Sequence, residues 1–465
     1  MKRAQLCLLA VFVALMCIMS AARAQEEIFF LGDELGVGAR AMGMGGAYVG
    51  IADDYSAIYW NPAGLGQLRR SEVNIGFTHN RQSNEATFLG NSFDSEKTFT
   101  RLNSIGLVFP VPTYQGSLVF GVGYNRVRDF DNTLEIEGFN PHYAAYADKV
   151  LPTYDEYWEQ GWTSSIDDSL YQIESMLEEG SLNQFALSGA VEVQKNLYLG
   201  ATVNFISGKD NYNILFDESD IYNLYDEPFD AFDKVIADLN TWNYNYTIGS
   251  NFSATNFKIG ALYRFGRALR LGATVITPTR YKIREEWSER FDETYDWGQE
   301  EPFEDSGEYE YRIEEPYSFE FGASFQILNI LLSAGAEFKD WSQAKFHDDP
   351  PMAGSTKGDV NAKIVRELQS VTKFHLGAEM YVPIIRASLR LGYFNAPSPY
   401  RYAEVMPDKE FVSAGASLAL GRQARVDFGL IHGTWEQQSS DALTGVPTLE
   451  EKSFDKIAGT LSIRF

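Results

Sequence analysis

The sequence predicts an all-β protein, a transmembrane antiparallel barrel of about 14 strands with its N-terminal stretch folded into the lumen. Three observations predict it. Apolar residues alternate with polar or small ones over runs of strand length. The connections between these runs are alternately short and long. The chain closes on an alternating strand that ends at Phe465 itself. No apolar run after the first 24 residues approaches the length of a membrane helix, so a closed barrel is the remaining way to satisfy a backbone in lipid.

Met1–Ala24 reads as a secretory signal. Lys2 and Arg3 form its charged start, Leu6–Met19 its apolar run, and Ala22-Arg23-Ala24 its small-x-small cleavage site. Both cysteines of the chain, Cys7 and Cys17, lie inside it. Ala14-Leu15-Met16 before Cys17 is a poor lipoprotein box. The exported chain is thus expected to hold no disulfide and no thiolate metal site. The whole chain of 465 residues carries 64 acidic against 39 basic residues. Cleavage near Ala24 removes three of the basic residues and no acid, which argues against nucleic-acid binding. Aromatic residues make up 14% of the chain, which suits interfacial girdles.

Gly36–Leu68 follows. Gly36, Gly38, Gly43, Gly45, Gly46 and Gly50 break any regular element, and Ala39, Ala41 and Ala47 between them allow close packing. Asp53 or Asp54 can cap a short helical turn at Tyr55–Tyr59. Asn61-Pro62-Ala63-Gly64 reads as a tight turn. The stretch is compact, irregular and apolar, so it needs a shelter, and a barrel lumen is one.

The strands come next, near Glu72–His79, Arg101–Phe109, Ser117–Arg126, Leu182–Val193, Leu197–Ser207, Ala254–Phe265 and Leu269–Thr277. The second half adds Tyr317–Gln326, Ile330–Lys339, Thr372–Val382, Arg386–Asn395, Phe411–Leu420, Ala424–His432 and Phe454–Phe465. In the sixth, for example, Phe257, Ile259, Ala261 and Tyr263 alternate with Asn256, Lys258, Gly260 and Arg264. Short turns such as Gln194–Asn196 and Gly266–Ala268 alternate with long loops such as Val127–Ser181, Gly208–Ser253 and Arg280–Pro316, the outer-membrane pattern. Those three loops carry 13, nine and 14 acids. Two of them carry a helical pattern. Ile166, Leu170, Ile173 and Leu177 fall on one helical face, as do Phe232, Val235, Ile236 and Leu239, so both loops are expected to hold amphipathic helices.

The run GARAMGMGGAYVGIADDYSAIYWNPAGL resembles the N-terminal hatch of the FadL/TodX-type outer-membrane transporters of fatty acids and hydrocarbons. The resemblance implies a signal at 1–24, a hatch at 25–70 and an outer-membrane barrel at 71–465. It implies transport of a hydrophobic small molecule, such as a long-chain fatty acid or other hydrocarbon. It further implies a gate where Asn61, Pro62 and Ala63 pack near the third strand, whose Gly121 and Gly123 would permit an inward bend and lateral release. Capture would use the two loop helices. In the lumen, Lys258, Arg264 or Arg390 would meet a substrate carboxylate. Expected partners are outer-membrane lipid, lipopolysaccharide and, through the Phe465 strand, the barrel assembly machinery. No cofactor and no metal ligand is assigned. A Gly-x-Ser-x-Gly elbow is missing, and nothing favours a catalytic His375 beside the serines of neighbouring strands over a satisfied lumen histidine, so no enzyme activity is expected. A protein-secretion shuttle of the same fold and a diffusion porin stand as alternatives.

Overall fold

The computed structural model describes residues 36–146, 169–224, 239–296, 298–299, 301–351, 355–402, 406–440 and 443–465. Among these, fourteen antiparallel strands form one closed sheet. They are β1 (Glu72–Phe88), β2 (Asn91–Val111), β3 (Leu118–Asp129, continued by Asn132–Asn140), β4 (Leu170–Gln194), β5 (Leu197–Ser219), β6 (Leu239–Phe265) and β7 (Leu269–Ile276, continued by Thr279–Tyr295). The rest are β8 (Phe303–Glu315, continued by Ser318–Ile327), β9 (Ile330–Asp340), β10 (Ser370–Val382), β11 (Ala387–Ala396), β12 (Lys409–Leu420), β13 (Ala424–Ser440) and β14 (Pro447–Arg464). β14 pairs with both β13 and β1, which closes the wall. No described helix is long and apolar enough to cross a membrane.

Alternation decides which face is out. On β6, Phe257 and Ile259 are more than half exposed, whereas Lys258 between them is buried. On β14, Ile457, Ile463 and Phe465 face out while Ala458, Thr460 and Ser462 are buried. Ile457–Phe465, at about 3.3 Å per residue and a tilt of about 40°, rises roughly 20 Å, most of the ~25 Å apolar band of a membrane barrel. The outer face is therefore a solvent-insoluble belt, and the inner face is polar or small.

The fourteen expected strands all exist, but many are longer than the alternation showed. Asn80–Thr100, between the first two expected strands, is mostly strand: β1 and β2 ladder up to a two-residue turn at Leu89 and Gly90, both at positive φ. Above the belt the outward positions turn polar, as at Arg81, Ser83 and Glu85. The apolar signal vanishes there while the backbone ladder continues.

The helix expected around Leu170–Leu177 is replaced by the upper half of β4. Leu170 is buried and faces inward; Ile173 and Leu177 are exposed on the other face. The residues spaced for a helix are divided by a strand period of two. β4 is held extended by a continuous ladder to β5, from Tyr171–Ser219 down to Gln194–Leu197. In the second expected helix, Leu239 opens β6 instead. Ile166, Phe232, Val235 and Ile236 lie outside the described residues, as do the signal and the first part of the expected hatch. An outer helix does exist elsewhere, at Lys357–Glu367 between β9 and β10, with a capping box from Thr356 and Asp359.

Gly392 on β11 faces the lumen, and a Cβ there would stand 2.1 Å from the backbone nitrogen of Gly45. Gly392→Val should therefore lift the N-terminal segment off the wall, at a cost of about 1–3 kcal/mol. Limited proteolysis checks this: residues 36–68 should become cleavable while the strands stay resistant.

Candidate functional site

Residues 36–68 lie in the lumen and are almost wholly buried. Two one-turn helices, Ala39–Met42 and Ala57–Trp60, and a 3-10 turn, Pro62–Gln67, are its only regular parts. Asp54 Oδ1 accepts from the backbone N–H and the hydroxyl of Ser56, the N-cap residue of the second helix. Pro62 opens the 3-10 turn, where its missing N–H costs nothing.

The wall meets this segment with glycine. A Cβ at Gly200 would stand 2.4 Å from the Pro62 carbonyl carbon, at Gly272 2.2 Å from the Val49 oxygen, and at Gly377 2.6 Å from the Met44 oxygen. Wall side chains then satisfy the segment's irregular backbone. Ser333 Oγ donates to the Ala47 carbonyl at 2.6 Å, Ser324 Oγ to Gly50 at 3.1 Å, and Thr202 Oγ1 to Ile58 at 3.2 Å. Such pairing is obligatory for buried backbone groups.

Asn61 is a three-way tie. Its amide donates to the Val49 carbonyl at 2.9 Å and to the Ala261 carbonyl of β6 at 3.1 Å, while its oxygen accepts from Ala63 N. Asn61-Pro62-Ala63 thus sits against β5, β6 and β7, over Gly200, Gly260 and Gly272. The expected seat against β3 is taken by Tyr55 and Ile58. Tyr55 Oη would lie 1.8 Å from a Cβ at Gly123, and Ile58 Cδ1 2.8 Å from one at Gly121. Nor does β3 bend at those glycines. Both pair in regular register with β2 and β4, and the ladder shifts at Arg126–Arg128 instead.

Around Arg40 the charges form a closed, alternating ring. Arg40 Nε contacts Glu379 at 2.9 Å, Glu379 meets Arg390 at 2.6 Å, and Arg390 meets Asp427 at 2.9 Å. Asp427 pairs with Arg425 at 2.7 Å, Arg425 with Asp54 at 3.4 Å, and Asp54 returns to Arg40 at 3.9 Å. Asp53 bridges Arg40 at 2.5 Å and Arg270 at 3.0 Å. Burial alone would raise the Asp53 pKa; Arg40 and Arg270 outweigh it and hold the carboxyl well below the usual carboxylate range. The acidic pair of the segment is thereby fastened to wall arginines.

The lumenal cations proposed for a substrate carboxylate are engaged or peripheral. Arg390 is paired with two wall carboxylates. Lys258 Nζ donates to the Tyr59 carbonyl at 2.5 Å and lies 3.3 Å from Glu320. Arg264 is half-buried at the turn end of β6. Among the described residues no three His, Asp or Glu side chains converge as a metal site.

Two cavities of about 40 Å³ flank Tyr59. One is lined by Trp60, His375, Phe394 and Phe411, the other by Lys258, Tyr281 and Glu315. Each has room for a water or so. Above them an apolar cluster runs from Val37 and Tyr59 through Tyr281, Tyr311 and Phe346 to Ile364 of the outer helix. A second cluster at the tall side of the wall contains Leu170, Leu239, Phe216 and Trp242. Leu170 and Leu239 belong to this one cluster through strand faces and not as helices.

The wall is not laddered everywhere. β2 pairs with β3 only between Ser104–Val111 and Leu118–Asn125. Above that, among the described residues, β2 pairs only with β1, and upper β3 only with β4. Side chains bridge this split. Arg101 forks onto Asp131 and also lies 3.5 Å from Asp129. Lys97 reaches Asp131 at 3.7 Å and Glu179 at 2.8 Å. Asn103 donates to the Arg126 carbonyl at 3.4 Å. Tyr55 Oη donates to the Ile105 carbonyl and Asn125 Oδ1, just where the ladder ends. Sequence reasoning missed this cluster; the Asp129-Phe130-Asp131 break opposite Lys97 and Arg101 is a signal visible only once the strands are aligned.

A closed fourteen-stranded barrel, apolar outside and occupied inside by its own N-terminal segment, is the class of structure these residues define. The same fold occurs in solved transport proteins. The P. putida toluene transporter TodX matches with a TM-score of 0.60 at 13% identity, covering 93% of this chain and 99% of that one. A Pseudomonas aeruginosa FadL homologue matches at 0.56 and 12% identity, over 93% and 98%. The Ralstonia pickettii toluene transporter TbuX matches at 0.50 and 16%, over 92% and 98%. At these identities the likeness is one of fold. No family model matches the sequence, and no curated protein matches it.

Arg40→Met would leave Asp53 and Glu379 without their shared cation, which for a buried network costs about 3–5 kcal/mol. The expected result is a barrel that still shows heat-modifiable mobility but conducts ions in planar bilayers where the wild type is silent.

Proposed function

We propose that this protein carries hydrophobic compounds, long-chain fatty acids or other hydrocarbons, across the bacterial outer membrane after export and cleavage near Ala24. Residues 25–70 act as the hatch that closes the barrel to water. Lipopolysaccharide surrounds the outer half, and the assembly machinery reads the Phe465 strand. The single observation that carries the reading is the split between β2 and β3, adjoining the hatch at Tyr55. A lumen closed below by a segment tied on many sides, and walled at one side by side-chain contacts in place of a ladder, favours sideways release of its contents.

The physical logic favours that exit. Each buried CH₂ is worth about 0.8 kcal/mol, so release of an alkyl chain into water is costly and release into lipid is not. The apolar cluster from Ile364 down to Tyr59 supplies an oily approach from the outer end. The apolar faces of Leu170 and Leu239 belong to the outer capture region. The two small cavities beside Tyr59 are too tight for such a ligand, so passage requires Tyr59 and Trp60 to swing or the hatch to shift. The cations beside them are matched by carboxylates, Lys258 with Glu320 and Lys339 with Glu315 at 2.6 Å, which favours a neutral cargo or a neutral end of one passing there.

Cysteines placed at Asn103 and Arg126 and joined by a short thiol cross-linker test the exit directly. Both native cysteines lie in the first 24 residues, so the pair is selective. Cross-linking should lower uptake of labelled oleate or toluene at least tenfold, and cleavage of the linker should restore it. Uptake unchanged by the cross-link would remove the lateral route.

A further inference from the structure

The two ends of the barrel carry opposite charge. The chain as a whole has a formal charge of −25. Yet the short turns contain no acid at all: Val111–Ser117, Gln194–Leu197, Phe265–Leu269, Ile327–Ile330, Val382–Ala387 and Leu420–Ala424. Four of them each present an exposed cation, Lys195, Arg267, Arg386 and Arg422. Arg70 adds a fifth where the lumenal segment joins β1. The nearest acids are neutralised. Glu192 is 3.2 Å from Arg69, and Glu72 is buried and 2.7 Å from Arg464.

The same turns expose apolar tips. Tyr114, Leu328 and Ile384 are almost fully exposed, at 109%, 92% and 94%. They stand just beyond the last outward residues of the belt, such as Phe265, Ile327 and Leu420. The cations are therefore at the depth where the hydrocarbon ends, with Ile384 in the same turn as Arg386 and Tyr114 and Leu328 at the tips of other turns of the same rim.

We infer that the turn end of this barrel binds the anionic headgroups of phospholipids, the cations contacting phosphate or phosphatidylglycerol oxygens while Leu328 and Ile384 enter the acyl boundary. Geometry selects lipid over a soluble acidic partner. The cations are spread one to a turn around the rim, which matches an annulus of separate headgroups; a single protein would need them gathered in one patch. Long-range attraction falls within a Debye length, so cations must sit at headgroup level to act, and the turns place them there. The inference needs the barrel to be in a membrane; it does not depend on what the barrel carries.

The test compares spin-labelled phosphatidylglycerol with spin-labelled phosphatidylcholine in phosphatidylcholine bilayers holding the full chain. A cation near an anionic surface contributes about a fivefold preference. The wild type should favour phosphatidylglycerol severalfold, with the preference reduced by salt. The variant K195Q/R267Q/R386Q/R422Q should lose it while retaining heat-modifiable mobility. A control variant at the opposite end, K282Q/R284Q, should keep it. Equal association of both lipids with the wild type, or a preference that survives the quadruple substitution, overturns the inference. So does binding of soluble polyglutamate by the wild type, lost in the quadruple variant, without any lipid preference.

Discussion

The structure depends on one close approach, backbone against backbone, between residues 36–68 and the inner wall. Glycines on β5, β6, β7, β8, β10, β11 and β13 leave the room, and a single Cβ at most of these positions would overlap the segment's main chain. A fourteen-stranded barrel has more lumen than its own side chains fill. Here the surplus is taken up by main chain, because small residues on both partners bring the two surfaces to contact distance. The exposed polar groups of an irregular segment would be prohibitive in such a place if they were unmet. Ser333, Ser324, Thr202, Lys258 and Ser117 meet them.

Charge completes what close packing begins. Removing arginines and carboxylates from water is costly unless each finds several partners. The ring through Arg40, Glu379, Arg390, Asp427, Arg425 and Asp54 gives each member two. It also joins segment to wall at β10, β11 and β13, so that the segment is positioned by specific partners as well as by shape. Arg390 illustrates the consequence: a cation that reads in sequence as a candidate for substrate is, in the fold, part of the fastening.

Among the described residues, the wall ladder between β2 and β3 gives way to side chains above Ser104 and Asn125. Here a few side-chain contacts, the fork of Arg101 on the buried Asp131 among them, stand in place of a row of backbone hydrogen bonds. Above the register shift at Arg126–Arg128, Leu134 and Ile136 of upper β3 are buried in the apolar cluster of the tall side. Local irregularity in one strand thus creates both an inner packing surface and a seam in the wall.

Strand number, closure, the inner and outer faces, and the special character of Gly36–Leu68 were legible in the sequence, because a period of two and a glycine-rich break are local properties of the chain. Asn61-Pro62 was legible as a turn for the same reason. Strand length was not, since above the membrane belt the outward residues are polar and only the neighbouring strand keeps the backbone extended, as β5 does for Leu170–Leu177. The seat of Asn61 over Gly200, Gly260 and Gly272, the ring around Arg40 and the seam beside Asp131 were decided by tertiary structure alone. Each joins residues tens to hundreds of positions apart, and no local pattern encodes which distant glycine or carboxylate a closed barrel will bring opposite them.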